Sequence, residues 1–139
     1  MEIRSLDKLM EKTKLLYPIF ELYLFKIAGI FSEDYDGGYW ESCFVEEDEE
    51  ELFYAILEDD KEYRIRNTQN FYNSGDMDSK TFSLSIWCYT LNIFAFHLLE
   101  KGDEERSNLF FDLYRYARRN AGAILQDEEK AAQLHWFLD

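Results

Sequence analysis

Apolar residues are densest between Phe82 and Leu99, where thirteen of eighteen side chains are aliphatic, aromatic or cysteine. The other five are polar but carry no fixed charge. Asp78 or Ser79 can cap the start of a helix here, and Gly102 can adopt the left-handed conformation that follows a helix end. The pattern predicts a central core helix of about five turns, apolar nearly all round. The polar interruptions and the lack of a basic flank argue against a membrane span.

Four shorter helical patterns accompany this central one. Residues 1–16 allow a brief amphipathic helix, and Pro18 suits the first turn of a second helix that runs to Phe31. The second helix carries only two charged residues and is expected to be mostly buried. A third long helix follows the central one with a single apolar stripe, and Asp127 caps a last short helix that ends at Asp139.

The middle of the chain has strand patterns. Tyr39–Val45 and Tyr63–Asn67 alternate between their two faces, Leu52–Leu57 is apolar throughout, and Asn70–Gly75 could add a fourth strand or form a loop. Short polar connections favour an antiparallel meander with one face on the helices. We therefore predict one α+β domain over residues 1–139, in which a small antiparallel sheet of three to four strands packs against a bundle of about four to five helices.

The net charge of the chain limits the classes of partner that it can bind. Twenty-nine acidic and fifteen basic residues give a net charge of −14, which argues strongly against nonspecific binding to nucleic acid or to an anionic membrane. An acidic surface either serves solubility or attracts a basic protein partner. Cys43 and Cys88 lie far apart and are expected to be reduced thiols. With no signal-peptide pattern at the start of the chain, we expect a cytoplasmic protein.

No arrangement in the sequence indicates chemistry. Neither histidine has a second ligand at metal-binding spacing, and His97 is expected to be a satisfied core side chain. Nucleophile-elbow, phosphate-loop and dinucleotide-binding patterns do not occur. We therefore predict a protein that is not an enzyme, with no catalytic residues, no metal site and no cofactor. A hydrolase or metal enzyme that uses acids between residues 36 and 60 stays open as an alternative.

Acidic residues concentrate in two short stretches. Six consecutive carboxylates run from Glu46 to Glu51, and Glu58–Asp60 follow one strand later. In a meander these turns lie at opposite ends of the sheet and should not merge. The first run fits a solvated hairpin tip, a surface for a basic partner, or a calcium site that lacks the usual loop pattern. The basic residues Arg115, Arg118 and Arg119 are expected to pair with acids near a helix end.

One segment resembles a known family. Tyr35–Trp40 reads YDGGYW directly after a hydrophobic helix, and it resembles the (Y/N)xG(A/G)YW stretch of the ArdB/KlcA antirestriction proteins. Further features follow in the order of that family: Phe53–Tyr54 on the next strand, an L-Y-x-x-A rhythm at Leu113–Ala117, and the closing segment Ala131–Asp139. The resemblance covers roughly residues 17–139 and is that of a divergent member, since the G-G-F-Y-M-A-P block of the family is not kept.

The resemblance implies a small cytoplasmic protein of mobile genetic elements. Such proteins protect incoming foreign DNA from type I restriction enzymes without catalysis. We predict that this chain does so by inhibiting these enzymes through protein contacts. We expect partner contacts at the turn, the acidic run and the last residue, namely Asp36, Gly37, Gly38, Tyr39, Trp40, Glu46, Glu47, Asp48, Glu49, Glu50, Glu51 and Asp139. The alternative function is that of an acidic immunity protein that binds and neutralises a cognate, basic, nuclease-like toxin.

Overall fold

The computed structural model describes residues 3–66 and 76–139. This part of the chain contains six helices and four strands, which confirms the α+β class. In chain order the elements are α1 (Ile3–Lys12), α2 (Tyr17–Phe31), β1 (Trp40–Glu47), β2 (Glu50–Leu57), β3 (Glu62–Arg64), β4 (Asp76–Asp78), α3 (Ser79–Glu100), α4 (Glu104–Arg119), α5 (Ala121–Leu125) and α6 (Glu128–Leu138).

Helix α3 is the centre of the core, as the sequence predicts. The Trp87 ring on α3 is fully buried, with ring centroids 5.2 Å from Phe20 of α2 and 5.7 Å from Phe53 of β2. Among the described helices, α3 alone is long and apolar enough to cross a membrane, but 67% of its apolar window is buried inside the protein. Gly102, directly after the helix cap, has φ +82, as predicted for the helix end.

Helix α2 is less buried than its composition predicts. Only Tyr17, Phe20, Leu24 and Ala28 are buried, and they recur at the three- and four-residue spacing of one helix face. The opposite face is also apolar but lies open to solvent in the described chain. The expectation of a mostly buried helix is therefore wrong, because apolar content alone does not tell how many faces of a helix are covered.

The strands form two separate antiparallel pairs rather than one meander. Strands β1 and β2 pair antiparallel from Trp40↔Leu57 to Glu47↔Glu50, whereas β3 pairs with β4. The predicted single meander is therefore wrong. At the last residue of β2, the buried N–H of Leu57 donates to Ser83 Oγ of α3 at 2.9 Å, so a helix and not a third strand accepts this hydrogen bond. The expected strand at Asn70–Gly75 lies outside the described residues.

The described chain has one helix more than the four to five expected. Asn120 caps the end of α4, and helical structure resumes at Ala121 in the five-residue α5. Asp127 then caps α6 by accepting hydrogen bonds from the backbone N–H groups of Glu129 and Lys130, which confirms the predicted cap.

Asp78 has two partners at the start of α3. Its carboxylate accepts a hydrogen bond from Thr81 N at 2.8 Å and forms an ion pair with Lys130 Nζ of α6 at 2.6 Å. Burial by itself raises the pKa of the Asp78 carboxyl, but the bonds from Lys130 and Thr81 outweigh it and leave the pKa below its usual value. The charged form of Asp78 is therefore the one that stabilises the fold.

We expect Asp78→Ala to reduce the free energy of unfolding by about 1–2 kcal/mol, since an N-cap and an ion pair are both lost. Asp78→Asn keeps a side-chain oxygen that can cap the helix, so it should reduce the free energy of unfolding by less than Asp78→Ala does. Because the folded-state pKa is lowered, the contribution is present above the ordinary pKa of aspartate and is lost as the pH falls through the folded-state value. Urea denaturation of both variants at several pH values tests this, and equal losses for Ala and Asn would contradict the capping role.

Candidate functional site

The shape of the Asp36–Trp40 turn depends on the backbone conformation of Gly37 and on an ion pair with Lys61. Gly37 has φ +91, a backbone angle that side chains disfavour. Asp36 Oδ2 accepts a hydrogen bond from Lys61 Nζ at 2.6 Å, and this bond lowers the pKa of the Asp36 carboxyl. The lysine therefore holds the turn against the connection between β2 and β3.

Trp40 is the residue of the turn that faces inward. The Trp40 ring is buried, and its Nε1–H donates to the hydroxyl of Tyr35 at 3.0 Å. A Cβ on Gly38 would lie 3.4 Å from both Asp59 Oδ2 and Leu57 Cδ2, which is ordinary van der Waals contact. Tyr39, with 64% of its surface exposed, is the aromatic side chain that the turn presents to solvent. Trp40 has a structural role, and Tyr39 and Asp36 are accessible to a partner.

The acidic run forms the tip of the β1–β2 hairpin, as predicted. Asp48 and Glu49 occupy the two-residue turn with φ +51 and +67, the combination of positive angles that a tight hairpin requires. In the register, Glu46 lies opposite Glu51 and Glu47 opposite Glu50. Like charges directly across a strand pair repel each other. The tip therefore needs cations from elsewhere in the fold.

Two carboxylates of the run receive those cations. Glu51 pairs with Lys8 of α1 at 2.8 Å, which lowers the pKa of the Glu51 carboxyl, and Lys12 lies 3.7 Å away. Glu47 pairs with Arg119 of α4 on the other side. No ion pair within the described part of the chain reaches the four remaining exposed acids, which are Glu46, Asp48, Glu49 and Glu50.

Asp139 lies on the α4 side of the hairpin. Its Oδ1 is 2.5 Å from Arg118 Nη2, and Arg118 also donates to the hydroxyl of Tyr114 at 2.6 Å. The neighbouring Arg119 holds Glu47 of the tip. Two consecutive arginines of α4 thus link Asp139 and the acidic tip, a connection that no sequence spacing indicates. The prediction that this basic cluster pairs with acids is confirmed.

The predicted contact residues therefore do not form one surface. The turn ends at Trp40, the first residue of β1, and the acidic run begins at Glu46, near the end of the same strand. Roughly 20 Å of extended chain therefore separates them. The tip and Asp139 belong to one side of the molecule, and Tyr39 with Asp36 belongs to the other end of the hairpin.

A carboxylate pair near the turn escapes the sequence analysis. Glu41 of β1 lies near Glu58, just after β2, and the proximity of the Glu58 carboxyl raises the pKa of the Glu41 carboxyl, because one of two adjacent acids holds its proton longer. Lys80 Nζ lies 3.7 Å from Glu58. On the same strands, burial raises the pKa of the Cys43 thiol and raises that of Tyr54 to about 12. Only the strand register brings Glu41 and Glu58 together.

We expect Glu41→Gln to raise the melting temperature near neutral pH, where the two charged acids repel each other. The raised folded-state pKa means that the repulsion is absent below the ordinary glutamate pKa of about 4.3 and develops as the pH rises through the folded-state value. The gain in melting temperature of the variant should therefore shrink toward about pH 4. Thermal melts near pH 7 and pH 4 test this, with Asp60→Asn as an exposed control. An equal gain in melting temperature at both pH values would contradict the repulsion between Glu41 and Glu58.

The remaining candidate groups do not assemble into a metal site. His97 is exposed, so the expectation of a core histidine is wrong. The continuously buried part of α3 lies earlier in the helix, and His97 belongs to its last, partly exposed turn. Within residues 3–66 and 76–139, no three histidine, cysteine, aspartate or glutamate side chains are placed to hold a metal ion. Cys88 is buried and Cys43 half-buried, and both are free thiols.

The fold and these surfaces define a small acidic α+β protein with a charged hairpin tip. Comparison with family models, with curated proteins and with solved structures finds no match.

Proposed function

We propose that this chain is an antirestriction protein, which protects incoming foreign DNA by inhibiting type I restriction enzymes. It acts in the cytoplasm through protein contacts and without catalysis. The proposal rests on the ordered resemblance to the ArdB/KlcA proteins from Tyr35 to Asp139. The observation that carries the mechanism is the hairpin tip, whose exposed acids have no cation partner among the described residues.

The tip is suited to attract a basic surface. A net charge of −14 and four exposed carboxylates on one tight turn create a negative potential that accelerates encounter with a positive partner. DNA-processing enzymes carry positive surfaces because they bind phosphates. Glu47 and Glu51 have a different role, since their ion pairs to α4 and α1 hold the hairpin in place. The partner therefore meets the exposed acids on a hairpin of fixed position.

The test is the plating efficiency of unmodified phage on a type I restricting host, with and without the protein expressed. We expect the wild-type chain to raise plating toward the level of a non-restricting host. A variant that neutralises the tip should lose protection while its circular dichroism stays unchanged. Its substitutions are Glu46→Gln, Asp48→Asn, Glu49→Gln and Glu50→Gln.

A control variant makes the same change of four charges away from the tip. If both variants lose protection equally, net charge and not the tip carries the effect. If the tip variant protects as well as the wild type, the tip is not the contact surface. No protection by folded wild-type protein contradicts the antirestriction function itself. The control substitutions are Asp60→Asn, Glu62→Gln, Glu100→Gln and Glu104→Gln.

A second candidate is an immunity protein that binds and neutralises a basic, nuclease-like toxin. The same exposed tip favours it, because a basic nuclease surface offers the same charge complementarity as a restriction enzyme. A toxin gene beside the coding sequence, together with a stable complex of the two purified proteins, would support this function. Absence of any phage protection would then be expected.

A further inference from the structure

One face of α2 and the adjoining part of α3 is apolar and exposed. The exposed fractions of its six large side chains lie between 41% and 70%. Lys26 is the charged residue on the exposed side of α2 here, since Glu21 is half-buried. We call this surface the α2–α3 face, and its apolar members are Ile19, Leu22, Tyr23 and Ile30 of α2 with Ile93 and Phe96 of α3.

The α2 and α3 parts of this face meet at Tyr23 and Ile93. The Tyr23 ring of α2 packs against Phe94 of α3 with centroids 5.6 Å apart. Beside this contact, a shallow cavity of about 80 Å³ lies between the helices, with Tyr23 and Ile27 on one wall and Ile93 and His97 on the other. Phe96 lies one turn beyond Ile93, with its ring against Phe111 of α4.

The area of the face matches what a stable dimer needs. Taking roughly 170 Å² for a fully exposed large side chain, the six exposed fractions correspond to about 500 Å² of apolar surface. A standard interface buries about 800 Å² per partner, of which about 65% is apolar in homodimers. These two apolar areas agree. An apolar patch of about 500 Å² is also near the upper end of what a monomer leaves exposed.

The occupant that fits this face is a second copy of the chain. Two molecules of net charge −14 repel each other over most of their surfaces, whereas the exposed charged residue among the apolar side chains of α2 is a lysine, Lys26, and not a carboxylate. A two-fold interface requires a patch that is complementary to itself, and a largely apolar face can meet a second copy of itself without bringing carboxylates together. We propose that this protein forms a homodimer through the α2–α3 face, independently of its proposed function.

Gly29 supplies a second observation for this dimer. It lies within α2, where glycine weakens a helix relative to alanine, and a Cβ there would meet nothing within 4 Å. Packing among the described residues therefore gives no reason for the missing side chain. Gly29 is exposed and lies two helical turns beyond Leu22, on the same side of α2. A glycine at this place allows the α2 helix of a second copy to approach closely.

The experiment measures the mass of the full chain by sedimentation equilibrium over a wide range of concentrations. We expect the wild type to reach twice the 16.8 kDa of one chain. Leu22→Asp places a charge at the most exposed apolar position of the face and should give the mass of one chain. Its circular dichroism should match that of the wild type, because this side chain is not part of the core.

Two further variants sharpen the test. Ala123→Asp adds the same charge at an exposed site on α5 and should leave the dimer intact. Gly29→Ala should keep the helical content but dissociate at higher protein concentration than the wild type, since the added methyl group separates the two helices. Loss of the dimer in Leu22→Asp and weaker dimerisation in Gly29→Ala, together with an intact dimer in Ala123→Asp, support the proposal.

Three results would overturn it. The first is a wild-type chain that stays at 16.8 kDa at every concentration. The second is a dimer that Leu22→Asp and Gly29→Ala leave unchanged, since its contact then lies elsewhere. The third is a monomer that binds neutral phosphatidylcholine vesicles through Leu22, which would assign the face to a lipid surface instead.

Discussion

Replacing Phe20 by alanine is expected to lower the free energy of unfolding by about 3–5 kcal/mol, the range for a large aromatic side chain removed from a core. Phe20 is 1% exposed on the inner face of α2. Its ring lies 5.2 Å from Trp87 and 5.6 Å from Phe94 of α3, and 5.4 Å from Phe110 of α4. One side chain therefore joins three helices, and its removal leaves a cavity that rigid neighbouring rings cannot close.

Urea denaturation at one fixed protein concentration measures this loss. Tyr39→Ala is the matched control, because it also removes an aromatic ring but at a position that is 64% exposed and has no ring contact in the described chain. The control should change stability by less than about 0.5 kcal/mol. A small loss for Phe20→Ala would mean that α2 is only loosely held, and that its contacts with α3 contribute little to the core.

The elements that sequence reasoning predicts well are those determined by local chemistry. The cap at Asp78, the left-handed Gly102 and the cap at Asp127 each depend on residues within one helical turn. The hairpin tip is also local, since Asp48 and Glu49 lie between two strands of matching length. Such features can be predicted from a short window of sequence because no distant residue decides them.

What sequence reasoning misses depends on distant neighbours. Strand β3 pairs with β4 and not with β2, and at the end of β2 the N–H of Leu57 donates to Ser83 of the distant helix α3. The exposed face of α2 has the same composition as a buried one, so the hydrophobic pattern cannot reveal it. At the candidate site, the approach of Glu41 to Glu58 and the link from Arg119 to Glu47 follow from register and packing, not from spacing.

The largest loss expected from a polar substitution is at Ser83, and it follows from the same edge of β2. Ser83 Oγ accepts the hydrogen bond of the Leu57 N–H at 2.9 Å and donates to the carbonyl oxygen of Ser79 at 2.7 Å. Ser83 and Leu57 are buried, so water cannot replace this acceptor. Ser83→Ala leaves the N–H of Leu57 unpaired in the core, which should cost about 1–3 kcal/mol.

Ser85 on the same helix separates this effect from the loss of a hydroxyl as such. Ser85 Oγ is equally buried but donates to the carbonyl oxygen of Thr81 within α3, at 2.7 Å, and accepts no strand N–H. Because the Thr81 carbonyl keeps its helical hydrogen bond, Ser85→Ala should reduce the free energy of unfolding by much less than Ser83→Ala does. Urea denaturation compares the two variants, and hydrogen exchange should show faster exchange of the Leu57 amide only in Ser83→Ala. Equal losses would mean that the edge of β2 does not depend on α3 for its hydrogen bond.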